Sequence, residues 1–208
     1  MPRYGRIDSD YGKRLRSPAA DGPIYMLNLT RYRPDAGYVR ASRAGVNSLD
    51  PDNRYAPLGV LASIGATLCF VADVVASPGN WHRMAVVGYP SRRAFVEMAA
   101  RQDFRDWHVS KSAAIEQTAV LGTLPIRALP GQSSTSLILL ETWDGPAPAP
   151  IADGPASEFA VEGTLVGDGR PWSGVRYTAM EPRTPLPLEP TEPAYQALLL
   201  EPTIERWR

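Results

Sequence analysis

Apolar positions recur at two spacings along this chain. Ile24 to Tyr32 is rich in branched and aromatic residues and predicts a strand, in which alternation sets Met26, Asn28, Thr30 and Tyr32 opposite Leu27 and Leu29. Tyr55 to Ile64 carries Leu58, Leu61 and Ala62 at helical spacing until Gly65 stops it. Thr67 to Val75 is apolar at almost every position, which suits a strand covered on both faces. Met84 to Tyr89 predicts another strand, after which Pro90-Ser91 turns the chain and Ser91 caps a helix carrying Phe95, Met98 and Ala99. A second helical piece starts at Asp103 and runs to Gln117, with Trp107 and Ile115 inward, and Leu121 to Ala128 closes the half as a strand.

Beyond this point the helical spacing disappears. Leu137 to Trp143, Phe159 to Val166, Trp172 to Met180 and Tyr195 to Leu200 are strand-like, and proline gathers between them at Pro146, Pro148 and Pro150 and again from Pro182 to Pro193. With Asp168-Gly169-Arg170 as a loop, Phe159, Val161, Val175, Tyr177 and Ala179 share one face and Glu162 falls opposite Arg176 on the other.

The order strand, helix, strand, strand, helix, strand predicts an α+β fold: a ferredoxin-like βαββαβ unit with helices on one sheet face and the other face left to be covered. Three segments follow. Residues 1–22 read as an extended N-terminal arm, residues 23–130 as the ferredoxin-like domain, and residues 131–208 as a β-rich, degenerate second copy with Pro-rich connections in place of helices.

Composition narrows the classes. The chain has 208 residues, 44% of them hydrophobic, and no apolar run long enough to span a bilayer, so no membrane partner is expected. Met1 to Ala20 has basic residues with no apolar stretch behind them, unlike a secretory signal, and Cys69 is the single cysteine; both point to a cytoplasmic protein. Net charge is zero, yet residues 1–130 hold 17 Lys/Arg against 11 Asp/Glu, and residues 131–208 hold 5 against 11. Halves of opposite sign attract each other, and the arginines are scattered rather than clustered with aromatics, so no nucleic-acid partner is expected.

The stretch Trp81-His82-Arg83-Met84-Ala85-Val86-Val87-Gly88-Tyr89-Pro90-Ser91-Arg92-Arg93-Ala94-Phe95 resembles the family of uncharacterised proteins called DUF1330, within the dimeric α/β-barrel superfamily. The likeness continues through Asp103-Phe104, Lys111, Ala113-Ala114-Ile115-Glu116 and Leu121, begins earlier with Tyr25 to Leu29 and Tyr55 to Gly65, and covers residues 23–128. It implies two four-stranded sheets packed face to face into a barrel, in a homodimer or a fused pseudo-dimer. Relatives tend to have Trp-Asp where this chain has Trp81-His82 and Arg where it has Lys111. Superfamily members include cofactor-free monooxygenases, lactone isomerases, dehydratases and haem enzymes, so the resemblance alone fixes no reaction.

Six residues stand out as candidates. If Leu27 and Leu29 face the helices, Asn28 points into the barrel, where its amide would orient a carbonyl or tie two strands together. His82 begins a strand beside Trp81 and would exchange a proton near neutral pH; a spectator imidazole is the plainer alternative. Arg31 and Tyr32 end the first strand, and Glu141 and Trp143 hold the same place in the second copy, together suggesting a substrate-binding barrel end or a simple salt bridge. Arg92 and Arg93 sit in a helix's first turn, where the macrodipole disfavours cations and an acidic partner from the second half would compensate. His108 on a helix reads as a spectator. No set of metal ligands, dinucleotide loop or nucleophile elbow is present, so no cofactor or metal is expected.

These features support a cofactor-independent enzyme acting on a small, largely apolar or aromatic carbonyl metabolite as isomerase, lyase or monooxygenase, with Asn28 and His82 catalytic. The alternative is a non-catalytic small-molecule-binding or accessory protein whose interior is filled by Trp143, Phe159, Trp172 and Tyr177.

Overall fold

The computed structural model describes residues 5–17, 21–34, 58–77, 79–126, 137–167, 169–180 and 194–207. Their elements are β1 (Arg6–Ile7), α1 (Ser9–Leu15), β2 (Ile24–Tyr32), α2 (Leu58–Ser63), β3 (Thr67–Ala76), β4 (Arg83–Tyr89), α3 (Arg92–Ala100), α4 (Gln102–Ala114), β5 (Ile115–Pro125), β6 (Leu137–Trp143), β7 (Ala156–Gly167), β8 (Gly174–Met180) and β9 (Tyr195–Glu205). The side chains of Trp107 and Lys111, the residues Tyr55 and Asp168, and the Pro-rich stretch from Pro182 to Pro193 lie outside the described residues.

Strands β2 to β9 make one antiparallel sheet in the order β7-β5-β2-β4-β3-β9-β6-β8, and β8 pairs back onto β7 to close the ring; β1 adds to β7 outside it. The molecule is therefore a mostly-β, closed eight-strand barrel with few helices. This corrects the expectation of an α+β, ferredoxin-like fold and of the dimeric α/β-barrel packing that the DUF1330 resemblance implies. The halves do not stack as two sheets face to face. They are joined edge to edge by hydrogen bonds within one chain, through β3–β9 and β5–β7. The physical reason is that an open four-strand layer leaves two unpaired edges, and the second half supplies two long strands to fill them. Strand β7, 12 residues long, gives Ala156 to Ala160 to β8 and Phe159 to Val166 to β5. Each half contributes its four strands in the same spatial order: last, first, third, second.

That divided strand also corrects the hairpin register. Arg176 faces Glu158 and not Glu162, because β8 pairs with Ala156 to Ala160 of β7, ahead of the part of that strand that turns to β5. Phe159, Val161, Val175, Tyr177 and Ala179 do share the interior.

Alternation along β2 runs opposite to the expected sense. Leu27 and Leu29 pack inside the barrel with Val86 and Leu121, whereas Ile24 and Met26 face outward under the helices with Leu61, Tyr89 and Met98. Ser91 caps α3 as predicted, accepting a hydrogen bond from the Ala94 N–H at 3.0 Å. The segment from Asp103 is helical only to Ala114, where Ile115 starts β5.

Residues 1–22 are not simply an extended arm. Asp8 caps α1, which lies on the outer wall, and Tyr11 sinks between Gly122 and Gly163, cross-strand partners whose absent Cβ atoms would fall 1.9 and 2.4 Å from its ring or hydroxyl. Glu162 beside this slot accepts from the Tyr11 hydroxyl at 3.2 Å and from Arg92 through a bidentate pair. This is the acidic second-half partner that the misplaced helix-terminal cation requires. Arg93 pairs more loosely with Asp21.

The Arg92 guanidinium holds the Glu162 carboxyl below its ordinary range. A depressed carboxyl stabilises the fold above its ordinary titration range, and that contribution is lost as pH falls through the folded value. Arg92→Met is expected to cost about 1.5–3 kcal/mol near neutral pH by urea unfolding, with the deficit against wild type shrinking in acid.

Candidate functional site

At one end of the barrel five aromatic rings converge. Alternation turns Tyr25 of β2, Phe159 of β7 and Tyr177 of β8 inward, and a bulge between Leu68 and Phe70 delivers Phe70 to the same space. Trp207 follows β9, whose end lies against the start of β3, where Glu205 pairs with Phe70. Trp207 stacks on Phe70 with centroids 5.7 Å apart and meets Tyr177 edge-on at 5.5 Å. Phe159 touches Tyr177 at 5.4 Å and Tyr25 at 5.8 Å. These separations are those of favourable edge and offset-stacked contacts.

Cys69, the bulged residue, lies at the margin of this cluster. Its thiol donates to the Thr67 carbonyl at 3.4 Å. Gly88 packs closely here: a Cβ would stand 3.0 Å from the Cys69 sulfur and 3.1 Å from the Tyr25 ring, so those side chains would have to shift to admit one. Burial pushes the Cys69 thiol and the Tyr25 and Tyr177 hydroxyls upward, with Cys69 adding to the rise at both tyrosines. All three therefore stay protonated near neutral pH. The Tyr177 hydroxyl and the Trp207 Nε1 are buried without a hydrogen-bond partner among the described residues. Two buried donors thus lie at one aromatic cluster with no acceptor among the described residues.

The opposite end brings together three of the sequence candidates: Arg31, Tyr32 and His82. The Tyr32 N–H donates to His82 Nδ1 at 3.0 Å, and the two rings stack with centroids 6.2 Å apart. Nδ1 is thereby engaged as an acceptor. The His82 backbone is fixed on both sides, donating to the Thr30 carbonyl and accepting from the Val74 N–H. Arg31 pairs with Glu116 at 3.0 Å on the rim, and Arg83 next to His82 donates from Nε and Nη2 to Asp73 Oδ1 at 3.1 and 2.9 Å. Trp81, the other chain neighbour of His82, is buried in the barrel core.

Glu141 and Trp143 are not with them. Both lie on the outer face of the second half, since Ile138 and Leu140 between them take the interior. Glu141 is fully buried there, accepting from Arg176 at 3.2 Å and from the Tyr195 hydroxyl at 2.8 Å. Arg176 continues to Glu158 at 2.8 Å and to the Pro148 carbonyl at 2.9 Å, and lies over the Trp143 ring. The Pro-rich connection after β6 is thus a cover for a buried charge row. The Glu141 carboxylate ties strands and faces no interior space.

Asn28 is also outside. Its cross-strand partner Val120 belongs to the core under the helices, and its Nδ2 donates to the Met26 carbonyl at 2.9 Å. The proposed pairing of Asn28 with His82 around one interior ligand is not assembled. His108 is exposed on α4, stacked on Phe104. Among the described residues no three His, Cys, Asp or Glu side chains gather as metal ligands, and no helix is long and apolar enough to cross a membrane.

The sequence reading named Tyr177 and Phe159 as interior residues but missed Trp207. It ended the last strand at Leu200. In fact β9 continues through Pro202, which sits opposite Ala72 at a register shift, where the missing N–H does no harm.

No family model matches the chain, and no curated protein matches it. The chain is similar to the crystal structure of RPA0582, a protein of unknown function from Rhodopseudomonas palustris, at 27% identity over 60% of this chain and 99% of that one, with a TM-score of 0.45. It is similar also to the structure of methylated RPA0582, at 26% identity over 62% and 99%, with a TM-score of 0.44.

Replacing Arg176 leaves Glu141 buried with no counter-charge. Arg176→Met is expected to lower stability by about 3–5 kcal/mol in urea unfolding, and adding Glu141→Leu to recover part of it.

Proposed function

We propose that the protein is a small-molecule-binding barrel whose ligand, small and largely apolar, sits at the end lined by Tyr25, Phe70, Phe159, Tyr177 and Trp207. The observation that carries this reading is the Tyr177 hydroxyl, buried among aromatic rings with no acceptor among the described residues. A buried hydroxyl costs free energy unless it is hydrogen-bonded. An eight-strand barrel has an interior of the size that side chains fill or one small ligand shares with them. A ligand carrying an acceptor would complete both the packing and the hydrogen bond.

Binding is favoured over cofactor-independent catalysis on a carbonyl metabolite for a chemical reason. Proton transfer needs a group poised to accept, and around this enclosure Cys69, Tyr25 and Tyr177 are all held in their protonated forms by burial. His82 is at the other end with Nδ1 already engaged. The same reading takes the single chain, a fused pseudo-dimer, as the working unit. It also takes the reducing cytoplasm as its compartment, which suits one buried cysteine.

Tyr177→Phe tests the reading. In ligand-free protein the variant is expected to unfold at the same or a higher urea concentration, because it deletes an unpaired hydroxyl. Small molecules released from the purified protein on denaturation and identified by mass spectrometry are expected to rebind the variant about tenfold more weakly, the equivalent of one hydrogen bond. A ligand-free variant that is clearly less stable than wild type would mean that the hydroxyl is already bonded, and would sink the proposal.

A further inference from the structure

Trp207 is an unusual wall for the enclosure. It is only partly buried, it closes the end of the barrel, and it packs on Tyr25, Phe70, Phe159 and Tyr177. Yet it brings a buried N–H of its own that finds no acceptor among the described residues. Past the last β9 pair the backbone is tied by the Arg206 N–H to the Cys69 carbonyl.

Resting on the binding reading above, we propose that the Trp207 indole occupies the ligand's own place, and that the ligand is a neutral, planar, two-ring molecule bearing a hydrogen-bond acceptor, such as a lactone or aryl ketone, which displaces it. The size follows from the indole it replaces. The planarity follows from the faces and edges of Tyr25, Phe70, Phe159 and Tyr177 around it. The acceptor follows from Tyr177, which can offer only a proton to a partner in the enclosure while its hydroxyl is un-ionised. Neutrality follows from the charges, since Arg176, Glu141 and Glu158 all belong to the outer face and, among the described residues, no charged side chain is a cause of the rise at Tyr25 or Tyr177. A carboxylate or an ammonium would be stripped of water there with nothing to compensate it. Displacement removes two unpaired donors in one exchange: Tyr177 gains an acceptor, and the Trp207 N–H returns to water. A ligand lacking the acceptor gains only the second.

The test uses three bicyclic probes of similar size, coumarin as a neutral lactone, naphthalene without an acceptor, and 2-naphthoate as the anion, titrated calorimetrically into the full chain. Coumarin is expected to bind wild type more tightly than the other two. It is expected to bind Trp207→Ala about tenfold more tightly than wild type, because the competing plug is gone. Trp207→Phe keeps a ring in place but carries no N–H to return to water, so it is expected to bind coumarin no more tightly than wild type, which also guards against a fold lost in the alanine variant. Hydrogen exchange gives a readout that needs no variant: the Arg206 amide is expected to exchange faster when wild type is saturated with coumarin. Tight coumarin binding with no gain in Trp207→Ala and a slower Arg206 amide would overturn displacement, leaving Trp207 a fixed wall and the binding reading intact. Equal affinity for coumarin and naphthalene, or tighter 2-naphthoate, would overturn the ligand class. Failure of every probe to bind any of the three proteins would overturn this proposal and the small-molecule reading together.

Discussion

Closure of the sheet is the constraint on which the rest depends. A four-strand layer ends in two rows of unpaired N–H and C=O groups, and each row must be met. Here the second half meets both, β9 along β3 and β7 along β5, and β7 is long enough to serve two neighbours in succession. Once the ring is shut, every inward residue faces other inward residues across a narrow space, and every outward residue must find its own cover. The chain supplies that cover differently on its two sides: helices with Tyr11 and Met98 over the first half, and a Pro-rich connection over the second.

Charge is sorted by the same surface. The ion pairs that knit the halves stand outside the barrel wall, with Arg92 on Glu162 beside the Tyr11 slot and Arg176 between Glu141 and Glu158. The interior keeps aromatic and aliphatic groups and a thiol, with Thr123, Thr142 and Gln196 as buried neutral polar residues in the inward register. This division explains why Glu141 and Asn28, attractive as polar residues among apolar neighbours, do not make an interior site. A polar residue that alternates with inward leucines belongs to the other face, and there it binds backbone or an arginine.

The sequence carried much of this. Strand positions in β2, β3, β4 and β6 were legible from apolar runs and alternation, the Ser91 cap from its place after proline, and the need of Arg92 for an acidic partner from its place in a first turn. The closeness of Arg31, Tyr32 and His82 was half visible, since two are adjacent and the third begins a strand in the same half. The aromatic enclosure was less so. Its members come from β2, β3, β7, β8 and the residues after β9, and Trp207 was hidden behind Pro202, which marks the end of a strand unless a register shift absorbs it.

Alternation along one strand fixes which residues share a face, but leaves undecided which of two faces turns inward. In β2 both faces are apolar, Leu27 and Leu29 on one and Ile24 and Met26 on the other, so local pattern could not choose between them. Length and spacing in the sequence determined the strands, the caps and the opposite charges of the two halves. Only tertiary structure decided that the edges would join rather than the faces stack, because pairing two long strands with two open edges satisfies backbone groups far apart in the chain. That choice set the inward face, and with it the company that Tyr177 keeps.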